Sequence, residues 1–351
     1  MLVFLPAVAA LSLLAPERRV LIFACACASM VPLAGWIGRA TEQLADRVGE
    51  GLGGLLNATF GNAAELILGL AALRHGLTGI VKASLTGSIL GNLLLVLGAA
   101  MVAGGARRET LTFNATAARA QSSMLTLAAI ALLAPAALHG LGGRGADSAG
   151  LSLAISVVLI LTYACGLLFS LRTHRRLFLG AGCRASEAAP EPDVFVAWSL
   201  RRAIAVLVAA TAFTAWISEI LAATVEPAAR ALGMSDLFVG VVVLAVVGNA
   251  AEHVTAIQVA RHGRADLAIG IAIGSSAQVA LFVAPLLVLL SLFVGPRPMD
   301  LVFTGAEVLA VAAAVAITGQ VAGDGESNWL EGVQLLAVYV VLAALFYYLP
   351  G

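Results

Sequence analysis

The sequence has few charged residues, and this scarcity excludes most soluble proteins. Only 11% of the 351 residues are Asp, Glu, Lys or Arg, whereas 61% are hydrophobic and the mean hydropathy is +0.99. A soluble globular domain typically carries about 25% charged residues. Several apolar runs of about 18 residues or more are long enough to cross a bilayer as helices. The chain is therefore predicted to be an all-α polytopic membrane protein.

Cysteine and histidine are also scarce, which disfavours a site for a soft metal. Cys25 and Cys27 point to different sides of a helix, while Cys165 and Cys183 each stand alone. No spacing typical of a zinc site or a disulfide results, and isolated cysteines in apolar segments usually pack as small apolar side chains. We expect no bound cofactor and no nucleic-acid partner.

Eleven helical spans are predicted, with one long polar connection after the sixth. Their approximate bounds are 2–15, 20–38, 52–74, 79–103, 117–138, 149–171, 199–223, 237–260, 267–294, 300–320 and 329–349. Residues 172–198 begin with a basic cluster and continue with acidic residues among prolines, a composition typical of a linker. The predicted organisation is a leading helix (1–18), a first half (19–171), the linker (172–198) and a second half (199–351).

Charge also predicts orientation. Most Lys and Arg residues lie in one alternate set of loops and helix ends, the set that includes the linker. Because such residues are retained in the cytoplasm, the N-terminus and the linker are predicted to be cytoplasmic and the C-terminus outside. The composition is typical of a prokaryotic plasma membrane protein. Arg39, followed by Glu42, Asp46 and Arg47 in ATEQLADRVGEGLGG, resembles an amphipathic surface helix before the third span, although a solvated connector is the preferred interpretation.

An internal repeat relates the two halves of the chain. Residues 61–101 align with residues 248–288 without a gap, at a constant offset of 187 positions. The alignment superimposes GNAAE on GNAAE, Arg74-His75-Gly76 on Arg261-His262-Gly263, and Gly87-Ser88 on Gly274-Ser275. These matches at one offset indicate a duplication. Because five crossings separate the copies, they are predicted to run in opposite directions, as inverted repeats of secondary transporters do.

Glu65 and Glu252, the acidic residues of the two GNAAE copies, are predicted to lie near the middle of the third and eighth spans. A charged side chain at the bilayer centre costs at least about 2.5–3.5 kcal/mol on insertion scales. For either residue alone, a polar contact between helices would be an adequate explanation. Two carboxylates related by inverted symmetry indicate a shared cation or proton site instead.

Oxygen-bearing side chains surround both carboxylates in the sequence. Asn62 and Asn249 each precede the repeated Glu by three positions, which predicts a shared helix face. Further amide and hydroxyl groups are Asn57, Thr59, Ser84, Thr86, Ser88, Asn92, Ser275, Ser276 and Gln278. Ca²⁺ takes about 6–8 oxygen ligands, whereas soft metals prefer thiolates or imidazoles. The set favours a hard divalent cation, with protons competing for the same carboxylate oxygens.

Four segments carry a resemblance to a known family. GNAAELILGL with SLTGSILGNLLLVLG, and VVVLAVVGNAAEHVTAI with IAIGSSAQVALFVAPLL, resemble the two α-repeats of the calcium/proton exchangers, within the calcium/cation antiporter superfamily. The resemblance covers essentially the whole chain. It implies a ten-helix exchange core, a Ca²⁺ site shared by the repeats, and proton-driven extrusion of Ca²⁺ from the cytoplasm. Related exchangers often have a strongly acidic linker, and here the linker holds few acidic residues among arginines.

The resemblance also implies roles for individual residues. It implies that Glu65 and Glu252 bind Ca²⁺ or protons, and that Gln278 stands at the position of the family's glutamine. The nearby polar partners that it implies are Asn62, Asn249, Ser88 and Ser275.

Other polar residues are candidates for the surroundings of the site. They are Thr59, Asn92, His253 beside Glu252, and Glu219 and Glu307 in the seventh and tenth spans. His75 and His262 lie at predicted helix ends, where solvation is the simpler interpretation.

Alternative functions stay open at this point. A sodium- or potassium-coupled calcium exchanger of the same superfamily is the main alternative, and a sodium-dependent flux would distinguish it. A membrane-embedded hydrolase would need a serine–histidine pair at one depth, and His253 is the only histidine predicted within a span, so no enzymatic activity is expected. A passive cation channel would not require an inverted repeat around a carboxylate pair. Expected partners are Ca²⁺, H⁺ and the lipid bilayer, and both monomer and homo-oligomer stay open.

Overall fold

The computed structural model describes residues 3–48, 50–142, 147–178 and 198–349, which are mostly helical. Residues 179–197, which include Cys183 and most of the predicted linker, lie outside the described residues. The first half of the chain contains α1 (Phe4–Leu14), α2 (Arg19–Val48), α3 (Glu50–Phe60), α4 (Ala63–Arg74), α5 (Thr78–Gly105), α6 (Ala115–Gly142), α7 (Ser148–Thr173) and α8 (Arg175–Phe178). The second half contains α9 (Leu200–Ala231), α10 (Asp236–Gly248), α11 (Ala250–Arg261), α12 (Ala265–Leu290), α13 (Gly305–Val321) and α14 (Trp329–Tyr348).

The helices confirm a polytopic membrane protein. Among the described residues, seven helices are long and apolar enough to cross a membrane, namely α2, α5, α6, α7, α9, α12 and α14. The pair α10 and α11, bent by 59°, makes an eighth if it is one span. Helices α1 and α13 are apolar but shorter. The arrangement of eleven spans stays a prediction.

Helix α2 is longer than the sequence predicts. It continues without a break to Val48, so the interpretation of residues 39–47 as a separate surface helix or a solvated connector is wrong. The residues from Ala34 onward include strong helix formers, which explains why the helix does not end. Ile37, Ala40 and Leu44 are buried and form one cluster with Ala203 and Leu207 of α9. This end of α2 is therefore part of the packed helix bundle.

Both GNAAE segments interrupt a helix, within the stretches predicted as the third and eighth spans. Asn62 has φ −102° and ψ 27°, and Asn249 has φ −93° and ψ 7°, so both leave the helical conformation. Asn side chains favour such breaks because they compete for backbone hydrogen bonds. Glu65 and Glu252 consequently lie in the first turns of α4 and α11. The positive end of the helix dipole favours a carboxylate at this position.

Helix α13 begins at Gly305, five residues later than the predicted span. Thr304 is its N-cap and forms a capping box with Glu307. In a capping box the two side chains satisfy the free backbone N–H groups at the helix start, so the preceding residues stay outside the helix. Glu307 thereby acquires a structural role at a helix end.

Short π-helical segments occur at matching places in the repeat. One lies in α5 (Gly91–Val96) and another in α12 (Val279–Val283), with a further one in α10 (Val239–Leu244). A two-stranded antiparallel sheet, which an all-α prediction misses, joins β1 (Leu111–Thr112) to β2 (Glu326–Ser327). The largest buried core lies around α5, α12 and α13, while α2 packs along α9 beside it.

Candidate functional site

Buried amide and hydroxyl groups from both halves meet at the two helix breaks. Asn62 and Asn249 are 2% and 1% exposed at the start of α4 and α11. Helix α5 brings Ser88 and Asn92 to them, and α12 brings Ser275 and Gln278. In each half, the helix that begins at the GNAAE break is followed by the helix that carries the Gly-Ser pair. The same local pattern therefore contributes to the site twice.

Asn92 is the centre of this polar network. Its Nδ2 donates to Ser275 Oγ at 3.0 Å, to Asn249 Oδ1 at 3.3 Å and to Glu252 Oε2 at 3.5 Å. Asn92 itself is completely buried. One amide of the first half therefore holds three groups of the second half.

The two Asn residues at the breaks bond across the halves in a reciprocal manner. Asn249 Nδ2 donates to Ser88 Oγ at 2.8 Å and to the backbone O of Ala245 at 2.8 Å. Asn62 Nδ2 donates to Gln278 Oε1 at 2.5 Å, and Ser275 Oγ donates to Asn62 Oδ1 at 3.2 Å. Each break is thus fixed by the neighbouring helix of the other half, which explains how it keeps its conformation inside an apolar molecule.

Glu65 differs from Glu252 in its hydrogen bonding. Glu65 is 7% exposed, and its buried Oε2 has no hydrogen-bond partner among the described residues. A Cβ placed on Gly248 would lie 3.7 Å from Glu65 Oε1, so this carboxylate lies against the other GNAAE copy. A buried carboxylate oxygen without a donor is costly, and a bound cation or a proton would satisfy it.

A large cleft leads to the carboxylates from one side of the molecule. The cleft has a volume of about 2230 Å³ and is lined by Glu65, Glu252, Ser275 and Gln278. Its mouth lies between the ends of α2, α6, α7 and α11, and Trp198, at the end of the predicted linker, also lines it. We call this side of the molecule the linker side and the opposite side the far side.

Apolar packing closes the far side of the site in the described chain. A cavity of only about 10 Å³ lies beyond Glu65, lined by residues that include Leu68, Leu244 and Leu287. A Cβ on Gly69 would come within 2.7 Å of Leu287 Cδ1, and a Cβ on Gly87 within 2.0 Å of Val241 O. Among the described residues, the site therefore has a large opening toward the linker side and little free volume on the far side.

The structure brings most of the predicted site residues together, but not all. Thr59 is exposed, and its hydroxyl donates to Leu55 O within its own helix. Glu219 pairs with Arg74 and His75 at the C-terminal end of α4, outside the network. These positions reflect tertiary packing that spacing along a helix does not predict.

His253 and Glu307 lie next to the network. His253 Nε2 is buried without a partner in the described chain, and a Cβ on Gly91 would lie 4.0 Å from it. Glu307 Oε2 accepts hydrogen bonds from Thr304, and its Oε1 accepts one from Thr86 Oγ1 at 3.3 Å. Glu307 therefore supports the helix that carries Ser88.

Sequence reasoning missed two features of the site. It placed Asn92 only in the surroundings, although Asn92 is the central donor. It also missed Gln121 of α6, whose Nε2 would lie 3.5 Å from a Cβ on Gly274 and which lines the cleft. Gln121 could have been found from its position in a predicted span, because a polar side chain within the membrane costs free energy unless it has a partner.

The oxygen atoms that converge at the site determine which cation it can hold. Two carboxylates, amide oxygens and hydroxyls converge, and the described residues contain no cluster of three or more His, Cys, Asp or Glu side chains. Oxygen ligands with two negative charges fit a hard divalent cation or two protons, and not a soft metal.

Comparisons with known proteins match almost the whole chain. The profile described as sodium/calcium exchanger protein matches residues 19–172 and 202–348. The chain is 46% identical over 328 residues to the Ca²⁺/H⁺ antiporter ChaA of Bacillus subtilis (93% of this chain, 92% of that protein). It is 44% identical over 343 residues to a Ca²⁺/H⁺ antiporter of Aphanothece halophytica (94% and 90%). The solved structure of native YfkE superimposes with a TM-score of 0.84 at 42% identity, over 99% of this chain and 98% of that one.

Proposed function

Because the chain belongs to the sodium/calcium exchanger protein family, we propose that it exchanges Ca²⁺ for H⁺ across a membrane by alternating access. The observation that carries this proposal is that the buried carboxylate of Glu65 and the partly exposed carboxylate of Glu252, which accepts a hydrogen bond from Asn92, line the inner end of one cleft. The names of the bacterial relatives support the choice of ions. The protein is a transporter and not an enzyme.

The paired carboxylates would bind either substrate at the same oxygens. Ca²⁺ would be held by Glu65 and Glu252, with amide and hydroxyl oxygens of Asn62, Asn249, Ser88, Ser275 and Gln278 as further ligands or as their hydrogen-bond partners. Two protons would neutralise the same pair. When neither substrate is bound, two uncompensated charges in a buried site make closure unfavourable. Exchange is then the only cycle in which the site closes neutral.

Alternating access would follow from an inverted repeat of eleven spans, with a leading helix at 1–18 and halves at 19–171 and 199–351. The matching breaks at Asn62 and Asn249 support this arrangement, as do the π-helical segments of α5 and α12. We further propose that the N-terminus and residues 172–198 are cytoplasmic. The cleft would then expose the site to the cytoplasm, where Ca²⁺ is collected.

Transport by purified protein tests the proposal. Uptake of radioactive Ca²⁺ into proteoliposomes with an imposed pH gradient is measured for the wild type, Glu65→Gln and Glu252→Gln. We expect uptake that requires the pH gradient, ignores Na⁺, and falls to the level of protein-free liposomes in both variants. Glu226→Gln, which changes a carboxylate of the Arg230–Glu226 pair away from the site, should transport normally.

Two results would contradict this function. Uptake driven by a sodium or potassium gradient would identify the protein as a sodium- or potassium-coupled exchanger. Normal Ca²⁺ uptake in both glutamine variants would show that the paired carboxylates have another role.

A further inference from the structure

The duplicated Arg-His-Gly motif has no part in the cation site, yet its two copies have the same conformation. Gly76 and Gly263 have φ of 75° and 81°, values that glycine adopts readily. Leu77 N donates to Ala72 O at 2.9 Å, and Arg264 N donates to Val259 O at 3.0 Å. This is the same left-handed C-terminal cap in both copies. Each copy therefore presents an Arg and a His at the end of a helix that begins at the site.

On the far side, this Arg and His hold a carboxylate. Arg74 Nη1 donates to Glu219 Oε1 at 2.7 Å, and His75 Nε2 lies 3.2 Å from Glu219 Oε2. Glu219 belongs to α9, which packs along α4. We call these three residues the far latch. It joins α9 to α4 on the side where the site is closed.

On the linker side, the equivalent Arg and His have no carboxylate. Within the described chain Arg261 and His262 form no ion pair, and His262 Nδ1 contacts only Gln258 O of its own helix, at 2.8 Å. Helix α11 packs against α2, as α4 packs against α9. Glu42 and Asp46 of α2 line the same open cleft as His262.

Those two carboxylates are available for a new partner. Neither Glu42 nor Asp46 forms an ion pair with a described residue. The cations that line the cleft near them are Arg39 and Arg47 of α2 and Arg264. Arg47 is engaged with the backbone O of Trp198. The open side thus has an Arg and a His on α11 and two carboxylates on α2, and these two helices border the cleft.

The face of α9 that precedes Glu219 is unsuited to permanent burial. Thr214 and Ser218 are fully buried, and neither hydroxyl has a hydrogen-bond partner in the described chain. A buried hydroxyl without a partner costs free energy that water would recover. A second state in which α9 packs differently and either hydroxyl gains a hydrogen-bond partner would recover this free energy.

We propose that the two Arg-His-Gly copies are alternating ionic latches. Arg74 and His75 hold Glu219 while the linker side is open, and Arg261 and His262 hold Glu42 and Asp46 when the linker side closes. We call the second set the near latch. Because one latch forms as the other breaks, the free energies of the two access states stay close, as a carrier requires. This inference rests on the proposed alternating access.

Disulfide trapping tests the near latch without reading transport. Asp46→Cys with His262→Cys, and separately Glu42→Cys with His262→Cys, are introduced after Cys25, Cys27, Cys165 and Cys183 are replaced by Ala. The protein is oxidised in proteoliposomes, and the disulfide yield is measured by mass spectrometry. Thr112→Cys with Glu326→Cys, which face each other in the β1–β2 ladder, is the positive control for oxidation and folding.

The disulfide yield of each cysteine pair is measured with Glu219 present and with Glu219→Gln, which removes the far latch. We expect at least one pair to form a disulfide, and Glu219→Gln to raise its yield by about 1.4- to 5-fold, the range for one exposed ion pair. Glu226→Gln on the same helix removes a different ion pair and should leave the yield unchanged. The proposal is overturned if neither pair forms a disulfide while the control pair does, or if both Gln variants change the yield equally. Because the readout is structural, either result stands whichever ions are transported.

Discussion

At the scale of single residues, Asn92 shows how one amide can hold the site together. Its two Nδ2 hydrogens are shared among three acceptors, of which two also contact other site residues. Removal of this donor leaves Ser275, Asn249 and Glu252 without the group that orients them. A buried acceptor that loses its donor typically costs about 1–3 kcal/mol.

Asn92→Ala is therefore expected to reduce both binding and stability. The Ca²⁺ concentration for half-maximal uptake should rise about tenfold, which corresponds to about 1.4 kcal/mol. Thermal unfolding in detergent should show a loss of about 1–3 kcal/mol. Asn328→Ala is the matched control, because Asn328 caps α14 away from the site and its loss should cost about 1 kcal/mol of stability without a change in the half-maximal concentration. Equal uptake curves for Asn92→Ala and the wild type would exclude Asn92 as the organising donor.

At the scale of helices, the far side is closed by two helices in direct backbone contact. A Cβ on Gly87 of α5 would lie 2.0 Å from Val241 O, and a Cβ on Gly240 would lie 2.5 Å from the Ala83 side chain. The backbone itself cannot give way as a flexible side chain would. Glycine at these positions lets α5 and α10 approach closely.

Gly87→Ala should consequently separate α5 from α10. Overpacking of this kind typically costs about 1–3 kcal/mol, and we expect a lower melting temperature in detergent. Gly79→Ala provides the control in the same helix, since nothing lies within 4 Å of its added Cβ. An Ala in an open helical position is expected to be neutral or to stabilise by up to about 1 kcal/mol. Identical melting temperatures for the two variants would contradict the close approach.

Hydrophobic periodicity and motif spacing in the sequence predicted the helices better than the breaks within them. The apolar runs located the helices, and the repeated GNAAE located both carboxylates, because hydrophobicity and identity are local properties of the chain. The glycines before Asn62 and Asn249 permitted local unwinding but did not fix the positions of the breaks, since Asn leaves the helical conformation here where Gln278, Ser275 and Ser88 hold its side chain. The central position of Asn92 depends on contacts between the two halves and has no local signal.

At the scale of the whole molecule, the two sides of the site are built differently. The far side is filled by aliphatic side chains such as Leu68, Leu244 and Leu287, whereas the linker side is an open cleft with charged residues at its mouth. Helices α2 and α9 pack on each other and contact α11 and α4 respectively. A movement of this pair relative to the rest would exchange the open and closed sides, and both latches lie on its boundary.

Thiol labelling from each side of the membrane tests which side is open and which side is cytoplasmic. Thr255→Cys lies in the cleft, and Phe293→Cys, 86% exposed beyond the end of α12, lies on the far side. A membrane-impermeant thiol reagent should modify Thr255→Cys in inside-out vesicles and not in intact cells, because the cleft opens toward the linker. Phe293→Cys should show the opposite pattern, since α12 runs from the linker side to the far side. Modification of both from the same side would contradict the proposed topology, and the reverse pattern for both would place the linker outside.

Saturating Ca²⁺ should slow the modification of Thr255→Cys alone, because closure of the cleft around a neutralised carboxylate pair removes the thiol from solvent.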